Sequence, residues 1–284
     1  MNALFLGGDL RQKYACDYLC KNNILSEYHE SFELDEYIIN KIKNASIVVL
    51  PIPITKDDIN LNTVSSCIIK LSDIIPLINI DSIIFGGIFS KILKKQLEEM
   101  NQKYVDLFDI EEFQIKNALL SAEGAIYYAK QHLDKSIYGS EIAVLGFGRI
   151  GKILSYLLYS QGAKITVCAR KDKDYTWSKL IGFNGFKIKT DGNKNNLSMI
   201  DNRFDIVFNT IPYRVLDEEF VEKLNTDTII IDLASRPFGM DDSLVKKYKL
   251  KYYRELGIPG RYAPMSAGEI IGKTIINNLL IKED

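Results

Sequence analysis

Short apolar runs alternate with amphipathic stretches along the first 110 residues of the chain. The stretch Arg11–Lys21 has helical spacing, and another helix is predicted at the far end of the chain, over Ser266–Ile281. Strands that alternate with helices favour a parallel sheet covered by helices on both faces. Four apolar runs predict the strands of this half: Ala3–Leu6, Ile47–Leu50, Ser82–Phe85 and Tyr104–Phe108.

The second half begins with a long predicted helix, residues 113–135, on which Phe113, Leu119, Leu120, Ile126 and Ala129 share a face. Strands and helices then alternate again, and the segment Gly257–Pro264 is too rich in Gly and Pro for either. The predicted strands are an apolar run from Ile142, then Ala163–Ala169, Asp205–Phe208, Thr228–Leu233 and Lys251–Glu255.

These elements predict two doubly wound, parallel-sheet α/β domains of Rossmann type with a cleft between them. The first would contain residues 1–112 and 266–284, because the last helix is expected to pack back on the first half, and would be flavodoxin-like. The second would contain residues 113–265 and bind a dinucleotide, with the helix 113–135 as the bridge.

The dinucleotide prediction rests on the sequence I-A-V-L-G-F-G-R-I-G-K from Ile142 to Lys152. Gly146 suits the tight turn after a strand, Gly148 allows backbone to approach a pyrophosphate, and Gly151 allows close packing of helix on strand. The N–H groups that begin the following helix would then face the phosphates. The whole turn, with Phe147, Arg149 and Ile150, is therefore a candidate cofactor site.

The strand after this motif ends in Cys168-Ala169-Arg170-Lys171, without the acidic residue that NAD-preferring sites place on the ribose 2′-hydroxyl. A guanidinium at Arg170, next to Lys171, suits a 2′-phosphate and favours NADP. Asp172 and Asp174 follow closely, so NAD stays open as the alternative.

The next two strands end where the nicotinamide half of a dinucleotide should lie. The first is followed by Asn209-Thr210-Ile211-Pro212, whose polar groups can bond ribose or carboxamide. The second is followed by Ser235-Arg236, where a guanidinium can clamp a carboxylate. An ion pair with Asp232 or with a surface acid is the competing interpretation of Arg236.

In the first half, Pro51, Gly86, Gly87 and Ile88 stand at predicted strand ends and are candidate substrate-cleft residues, although turn formation alone would also explain them. Gly257 and Pro259 join this set. Glu123 precedes Gly124 in the middle of the bridging helix, where glycine costs about 1 kcal/mol, so a neighbouring segment is expected to pass close to Gly124. Glu123 either faces the cleft or is simply a solvated helix carboxylate.

Composition narrows the function further. A net charge of −1 gives no field that would attract nucleic acid or a membrane surface, and no apolar run approaches the length of a spanning helix. No signal peptide is visible, so we expect a cytoplasmic protein. Cys16 and Cys20 lie four residues apart without neighbouring ligands, and we expect no metal site.

Several short motifs, in order along nearly the whole chain, resemble the A subunits of dipicolinate synthases. They are Gly7-Gly8-Asp9 with Arg11-Gln12, Glu123-Gly124 with Gln131-His132, Gly139-Ser140 before Ala143–Gly146, Asn209–Pro212, Asp232–Pro237, and Gly257–Gly260 with Ala263-Pro264 and Ala267-Gly268. Two places depart from the family's pattern. Its Arg-Pro-Gly-Gly reads Arg236-Pro237-Phe238-Gly239 here, and its Pro-Thr before Glu-Gly reads Ser121-Ala122.

The resemblance implies an NADP-linked oxidation that makes dipicolinate, the pyridine-2,6-dicarboxylate of bacterial endospores, in the mother cell. It implies 4-hydroxy-tetrahydrodipicolinate, from the lysine pathway, as the substrate and the flavoprotein-like B subunit of dipicolinate synthase as partner. It also implies an architecture similar to the D-2-hydroxyacid dehydrogenases, with catalysis between two α/β domains. The oligomeric state stays open, a homo-oligomer included.

The chemistry of such a substrate calls for carboxylate anchors and a base. Arg236, with Ser235 beside it, is the candidate anchor, and Glu123 is the candidate base, because His29 and His132, the two histidines, are expected to be structural. A 2-hydroxyacid dehydrogenase is disfavoured, since those enzymes usually need a histidine late in the nucleotide domain and none follows position 132. A non-catalytic NADP-binding protein that supports the B subunit is the remaining alternative.

Overall fold

The computed structural model describes residues 1–64, 68–191, 194–200 and 203–280. Its strands, in chain order, are β1 Asn2–Leu6, β2 Leu25–His29, β3 Ile47–Val49, β4 Ile83–Gly86, β5 Lys103–Asp106, β6 Glu141–Leu145, β7 Lys164–Ala169, β8 Asn184–Lys187, β9 Thr190–Asp191, β10 Lys194–Asn195, β11 Ile206–Asn209, β12 Ile229–Asp232 and β13 Lys251–Arg254. Its α-helices are α1 Leu10–Lys21, α2 Glu36–Asn44, α3 Leu71–Ile74, α4 Lys91–Glu99, α5 Glu111–Lys130, α6 Arg149–Ser160, α7 Asp172–Ile181, α8 Glu218–Val221, α9 Asp242–Tyr248, α10 Ile258–Tyr262 and α11 Pro264–Leu280.

The chain divides into two compact units. Unit 1 contains Met1–Asn117 and the segment from Pro259 onward, and unit 2 contains Ala118–Ile258. The two boundaries predicted from the sequence lie at residues 112/113 and 265/266 instead.

Unit 1 is built on a parallel sheet with the strand order β2-β1-β3-β4-β5, the order typical of flavodoxin-like folds. Alternate residues of its central strands enter two separate cores, as expected for strands buried on both faces. Leu4 and Leu6 of β1 pack in one core, whereas Ala3 and Phe5 pack in the other with Ile271 of α11. The four strands predicted for this half are confirmed.

The helix α11 closes unit 1 by packing tightly on α1. A Cβ atom at Gly268 would lie 2.5 Å from Cβ of Tyr14 and 2.7 Å from the carbonyl oxygen of Arg11, and a Cβ at Gly272 would lie 2.7 Å from the Tyr18 ring. Glycines four residues apart on one helix therefore set the close approach of the two helices, as the predicted packing of the last helix on the first half requires.

Unit 2 contains a six-stranded parallel sheet in the order β13-β12-β11-β6-β7-β8. This is the doubly wound Rossmann order, in which the chain starts in the middle, builds one half outward and then crosses to build the other half. The point where the order reverses lies between β6 and β11, and ligands of such sheets bind beyond the carboxyl ends of the strands there.

Three details differ from the sequence prediction. The bridging helix α5 covers Glu111–Lys130 and ends five residues before the predicted 135, because the amides of Gln131 and His132 turn back onto the carbonyls of Tyr128 and Ala129. The irregular structure expected over Gly257–Pro264 is wrong for Ile258–Tyr262, which forms α10. The hydrophobic pattern also does not predict two outer strands, β8 and β2, the second of which contains His29.

Candidate functional site

The glycine turn after β6 has the geometry that the motif predicts. Gly146 has a φ of +97°, and its amide donates to the carbonyl of Cys168 at 2.9 Å. A Cβ at Gly146 would lie 2.4 Å from Oγ1 of Thr210, and one at Gly151 would lie 2.2 Å from the carbonyl oxygen of Gly146. The turn itself therefore requires glycine at both positions.

Gly148 differs from its two neighbours in the motif. Its backbone is in an ordinary extended conformation, and a Cβ there would meet no atom within 4 Å. Gly148 is the N-cap of the twelve-residue helix α6, and as a glycine it supplies no side chain to cap the first N–H groups of that helix. The structure thus leaves open space in front of a helix N-terminus, which is the environment that phosphates prefer.

The side chain of Phe147 points away from this space. It is 4% exposed and packs edge to face against Phe183, with ring centroids 6.3 Å apart. Only the backbone of Phe147 can therefore face a ligand, whereas Arg149 is exposed and Ile150 is half-buried in the first turn of α6.

The end of β7 presents cations. Arg170 and Lys171 are exposed, and within the described residues the guanidinium of Arg170 has no hydrogen-bond or ion-pair partner. Asp172 and Asp174, the acids that keep NAD as an alternative cofactor, both lie near lysines. Asp172 is bonded to Lys187, which holds the pKa of that carboxyl below its usual range, and Asp174 lies 3.8 Å from the Lys152 ammonium.

Asn209 lies at the end of β11, and its side chain is completely buried. Its Nδ2 donates to the Asp232 carboxylate at 2.9 Å and to the carbonyl of Ile211 at 3.2 Å, and its Oδ1 accepts from the Ile211 amide at 3.1 Å. The Asn209 amide thus shapes the loop, while Thr210 and Ile211 are half-buried and Pro212 is exposed.

Asp232, at the end of β12, organises the loop that carries Ser235 and Arg236. The carboxylate has no exposed surface and accepts from the amides of Ala234 at 3.0 Å and Gly239 at 2.7 Å, in addition to Asn209. The hydroxyl of Tyr252 donates a further, short hydrogen bond to it. Burial and this bond to the carboxylate raise the pKa of Tyr252. The ion pair between Arg236 and Asp232 that the sequence left open does not form.

Ser235 and Arg236 are exposed, and Arg236 lines a cavity of about 540 Å³. Arg214, Phe238 and Arg254 line the same cavity, together with Asp241 and Asp242. No sequence pattern pointed to Arg214, Phe238 and Arg254 as site residues, because they meet only when β11, β12 and β13 lie side by side.

Glu123 is half-buried in α5, and its carboxylate makes no hydrogen bond or ion pair within the described part of the chain. The two histidines have different surroundings. His132 stacks on the Tyr253 ring with centroids 3.7 Å apart, and His29 lies on β2 with its Nε2 3.6 Å from the Glu27 carboxylate.

In unit 1, the candidate residues at the end of β4 are tightly constrained. A Cβ at Gly86 would lie 2.8 Å from Ile54, and one at Gly87 would lie 2.8 Å from Ile52. The amide of Gly87 donates to the carbonyl of Pro51 at 3.3 Å. The two glycines therefore allow the segment after β3 to lie directly against the end of β4.

Ile88, the next residue, has a φ of +62° and a half-exposed side chain. A β-branched residue in the left-handed region is an outlier, and such strain persists only where its surroundings enforce it. Here the buried Asp106 enforces it, because its carboxylate accepts from the amides of Ile88 and Phe89, both at 3.0 Å. The Lys94 ammonium, 3.2 Å away, pairs with the same carboxylate.

The role of Asp9 and Arg11 in this unit was not predictable from the sequence. The guanidinium of Arg11 binds the Asp9 carboxylate through two nitrogens and donates to the carbonyl of Ile52 at 2.5 Å. A Cβ at Gly260 would lie 2.8 Å from Nε of Arg11. Arg11 thus links the first βα turn to the segment after β3, and α10 packs closely against it at Gly260. Pro259 is buried in α10, whereas Gly257, in unit 2, is exposed with a φ of +63°.

The described residues contain no group of three or more His, Cys, Asp or Glu side chains that could hold a metal ion. The same part of the chain has no helix with the length and apolar character needed to cross a membrane.

The sheet order and the glycine turn define an α/β protein of Rossmann type. The D-lactate dehydrogenase of Escherichia coli, in its apo structure, superposes with a TM-score of 0.67 at 13% identity, over 100% of this chain and 97% of that one. At that identity the likeness shows the fold alone.

Sequence comparison then gives the family. Residues 2–108 match the family described as the N-terminal domain of the dipicolinate synthase A subunit. The dipicolinate synthase A subunit of Bacillus subtilis (strain 168) is 32% identical over 230 residues, 80% of this chain and 75% of that protein. The crystal structure of the dipicolinate synthase A subunit from Bacillus halodurans superposes with a TM-score of 0.84 at 26% identity, over 98% of this chain and 97% of that one. The chain belongs to the family of dipicolinate synthase A subunits, as its motifs predicted.

Proposed function

We propose that this chain is an NADP-dependent dehydrogenase that forms dipicolinate from 4-hydroxy-tetrahydrodipicolinate through a dihydro intermediate. It would act as the A subunit of a two-subunit synthase during spore formation in the mother cell, with the B subunit as its partner. The observation that carries the proposal is the open space at Gly148 in front of α6, in a chain that belongs to this family.

The residues at the carboxyl ends of β6 and β7 suit a phosphorylated dinucleotide. The amides at the start of α6 would bind the pyrophosphate, and Arg170 with Lys171 would bind a ribose 2′-phosphate. The involvement of Asp172 with Lys187 supports NADP over NAD, since that acid is already bonded to a cation. When bound, the cofactor supplies a hydride acceptor for the ring carbon.

The reaction has two parts. The 4-hydroxy compound loses water to give dihydrodipicolinate, and the dihydro ring then gives a hydride to NADP⁺ and a proton to a base, which yields dipicolinate and NADPH. Thr210, Ile211 and Pro212 follow β11 next to the glycine turn, where they would orient the nicotinamide half. Arg236 would hold a substrate carboxylate.

The proton is assigned to Glu123. Its carboxylate is half-buried and has no partner among the described residues, so it is available to accept a proton. Positioning of the ring against the cofactor would contribute as much as the base, since aromatisation already drives the step.

The test is to mix the purified chain with NADP and freshly generated 4-hydroxy-tetrahydrodipicolinate, with and without the B subunit, and follow NADPH absorbance. We expect NADPH to form with the partner present and Glu123→Gln to lower turnover without weakening NADP binding. The matched control is Glu269→Gln, at an exposed carboxylate on α11.

Absence of NADPH under both conditions would contradict the proposal and favour the non-catalytic, NADP-binding alternative. Turnover of Glu123→Gln equal to that of the unaltered chain would remove Glu123 from the mechanism. A 2-hydroxy acid that reduces the cofactor in place of the dicarboxylate would identify the other alternative.

A further inference from the structure

The cavity around Arg236 contains more positive charge than its own acids neutralise. We call it the arginine cavity and define it by Arg214, Arg236, Arg254 and Phe238, with Asp241 and Asp242 beside them. Three guanidinium groups against two carboxylates leave one positive charge. All of these residues belong to unit 2.

The two acids are already assigned to two of the arginines. Arg214 donates to the Asp241 carboxylate at 2.6 Å, and Arg254 donates to the Asp242 carboxylate at 2.5 Å. Within the described residues Arg236 has no ion-pair or hydrogen-bond partner, and Nε of Arg254 is buried without an acceptor. The uncompensated charge therefore lies at Arg236. Arg254 interacts with the Tyr252 hydroxyl as well as with Asp242, and its Nε has no acceptor.

The guanidinium groups of Arg236 and Arg254 both lie against the ring of Phe238. The guanidinium carbon of Arg254 lies 4.3 Å from the ring centroid, and that of Arg236 lies 5.8 Å away, both within the range of cation–π contacts. Phe238 has a φ of +66°, a backbone conformation that residues other than glycine rarely adopt. The chain thus accepts backbone strain at the position where an aromatic ring gathers two arginines.

The loop that contains Arg236 and Phe238 is held in place by buried hydrogen bonds. The Asp232 carboxylate binds the amides of Ala234 and Gly239, which lie on either side of Arg236 and Phe238. A Cβ at Gly239 would lie 2.4 Å from Nδ2 of Asn209, so the loop cannot shift toward the core. Such preorganisation is typical of sites that bind a charged group, because little freedom is then lost on binding.

The position in the sheet limits the ligand. The cavity follows β11, β12 and β13, on the opposite side of β6 from β7 and Arg170. A 2′-phosphate at the end of β7 would therefore be at the other half of the sheet. A single uncompensated guanidinium matches the single charge of a carboxylate better than the nearly double charge of a phosphate.

We propose that the arginine cavity is a binding site for a ring carboxylate, with Arg236 as the ion-pairing group and Arg254, held by Phe238, as the second donor. This proposal rests on the proposed function, because the ligand would be one of the two carboxylates of the proposed substrate. It adds Arg254 and Phe238 to the residues that bind that carboxylate.

The experiment is calorimetric titration of the full chain, with and without NADP, using dipicolinate, picolinate, the neutral picolinamide and inorganic phosphate as probes. We expect dipicolinate and picolinate to bind, and Arg236→Gln and Arg254→Gln each to raise their Kd at least about tenfold, the factor of one charge-assisted hydrogen bond. The matched control, Lys246→Gln, removes an exposed cation of α9 that does not line the cavity and should leave Kd within about twofold.

Melting curves and NADP affinity report whether each variant is folded. Arg236→Lys and Arg254→Lys, which keep the charge and lose the planar fork, should give intermediate Kd values. Equal Kd values for the unaltered chain and both glutamine variants would overturn the proposal. So would equal binding of picolinamide and picolinate, stronger binding of phosphate than of dipicolinate, or no binding of dipicolinate under either condition.

The result separates the cavity from the proposed function. If NADPH forms with the B subunit but dipicolinate binding does not depend on the arginines, the carboxylate-site proposal is wrong and the proposed reaction is supported. If dipicolinate binding depends on the arginines but no NADPH forms, the carboxylate-site proposal is supported and the proposed reaction is wrong.

Discussion

Among single residues, Gly148 differs from Gly146 and Gly151 because the fold itself does not require glycine there. Its hypothetical Cβ meets nothing within 4 Å, whereas the one at Gly151 would strike the carbonyl oxygen of Gly146 at 2.2 Å. The fold therefore tolerates a methyl group at Gly148, and only a ligand that approaches the backbone would not.

We expect Gly148→Ala to change the free energy of unfolding by less than about 1 kcal/mol, the scale of an N-cap exchange, and to weaken NADP binding at least about tenfold. Urea unfolding and cofactor titration measure the two effects. Gly151→Ala is the control, which should lose stability because backbone lies in the way. Undiminished NADP affinity in folded Gly148→Ala would show that phosphates do not approach this turn.

The proposed preference for NADP rests on Arg170. Replacing Arg170 with Asp should weaken NADP binding by about 10- to 100-fold, as expected for losing charge-assisted hydrogen bonds, and leave NAD binding unchanged or improved. Titration with both cofactors tests this. The exposed Lys173 of α7 provides the control, because Lys173→Asp makes the same charge change nearby. If NADP affinity survives in Arg170→Asp, the specificity argument is wrong.

Ile88 provides a test of stored strain. Because its φ is +62° and half of its side chain is exposed, Ile88→Gly should raise the free energy of unfolding by about 1 kcal/mol. Ile59→Gly, at an exposed isoleucine outside the left-handed region, should lower it by about 0.5–1 kcal/mol. Urea denaturation followed by circular dichroism compares the two. A loss of stability in Ile88→Gly would mean that the side chain stabilises the fold.

Among the elements, the ends of β11 and β12 depend on one buried carboxylate. Asp232 accepts hydrogen bonds from Asn209, Ala234, Gly239 and Tyr252, and an amide in its place would offer one acceptor oxygen instead of two. Asp232→Asn should therefore lower the free energy of unfolding by about 2–3 kcal/mol.

Tyr252→Phe removes just one of the four donors and should cost about 1 kcal/mol. Both values come from urea unfolding of the full chain. Equal losses in the two variants would show that the backbone amides of the loop do not depend on the carboxylate.

The central strands could be predicted from the sequence, as could the edge strands β5 and β13, but the edge strands β2 and β8 could not. Strands such as β1 and β12 are buried on both faces and read as continuous apolar runs. The outer strand β2 reads Leu-Ser-Glu-Tyr-His and has no fully buried residue, so its pattern resembles a loop. For α10, the Gly and Pro content masked a helix that begins directly before Pro259, where proline is well tolerated.

For the whole molecule, the family and the two-sheet architecture followed from motifs in order along the chain. The sites divide differently. The glycine turn was predictable, because its three glycines lie within six consecutive positions, Gly146 to Gly151. The arginine cavity and the link from Arg11 to Ile52 join residues from separate βα units, and no local pattern encodes such a meeting.

The packing of α11 on α1 has a consequence for the order in which the protein can form during synthesis. The sheet of unit 1 is made first, yet Ile271 and Ile275, which cover the face with Ala3 and Phe5, are made only after the whole of unit 2. A growing chain therefore carries an uncovered apolar face while more than a hundred residues of unit 2 are translated. The packing of Gly260 against Arg11 also forms only at that stage, so no partly synthesised chain has a complete unit 1.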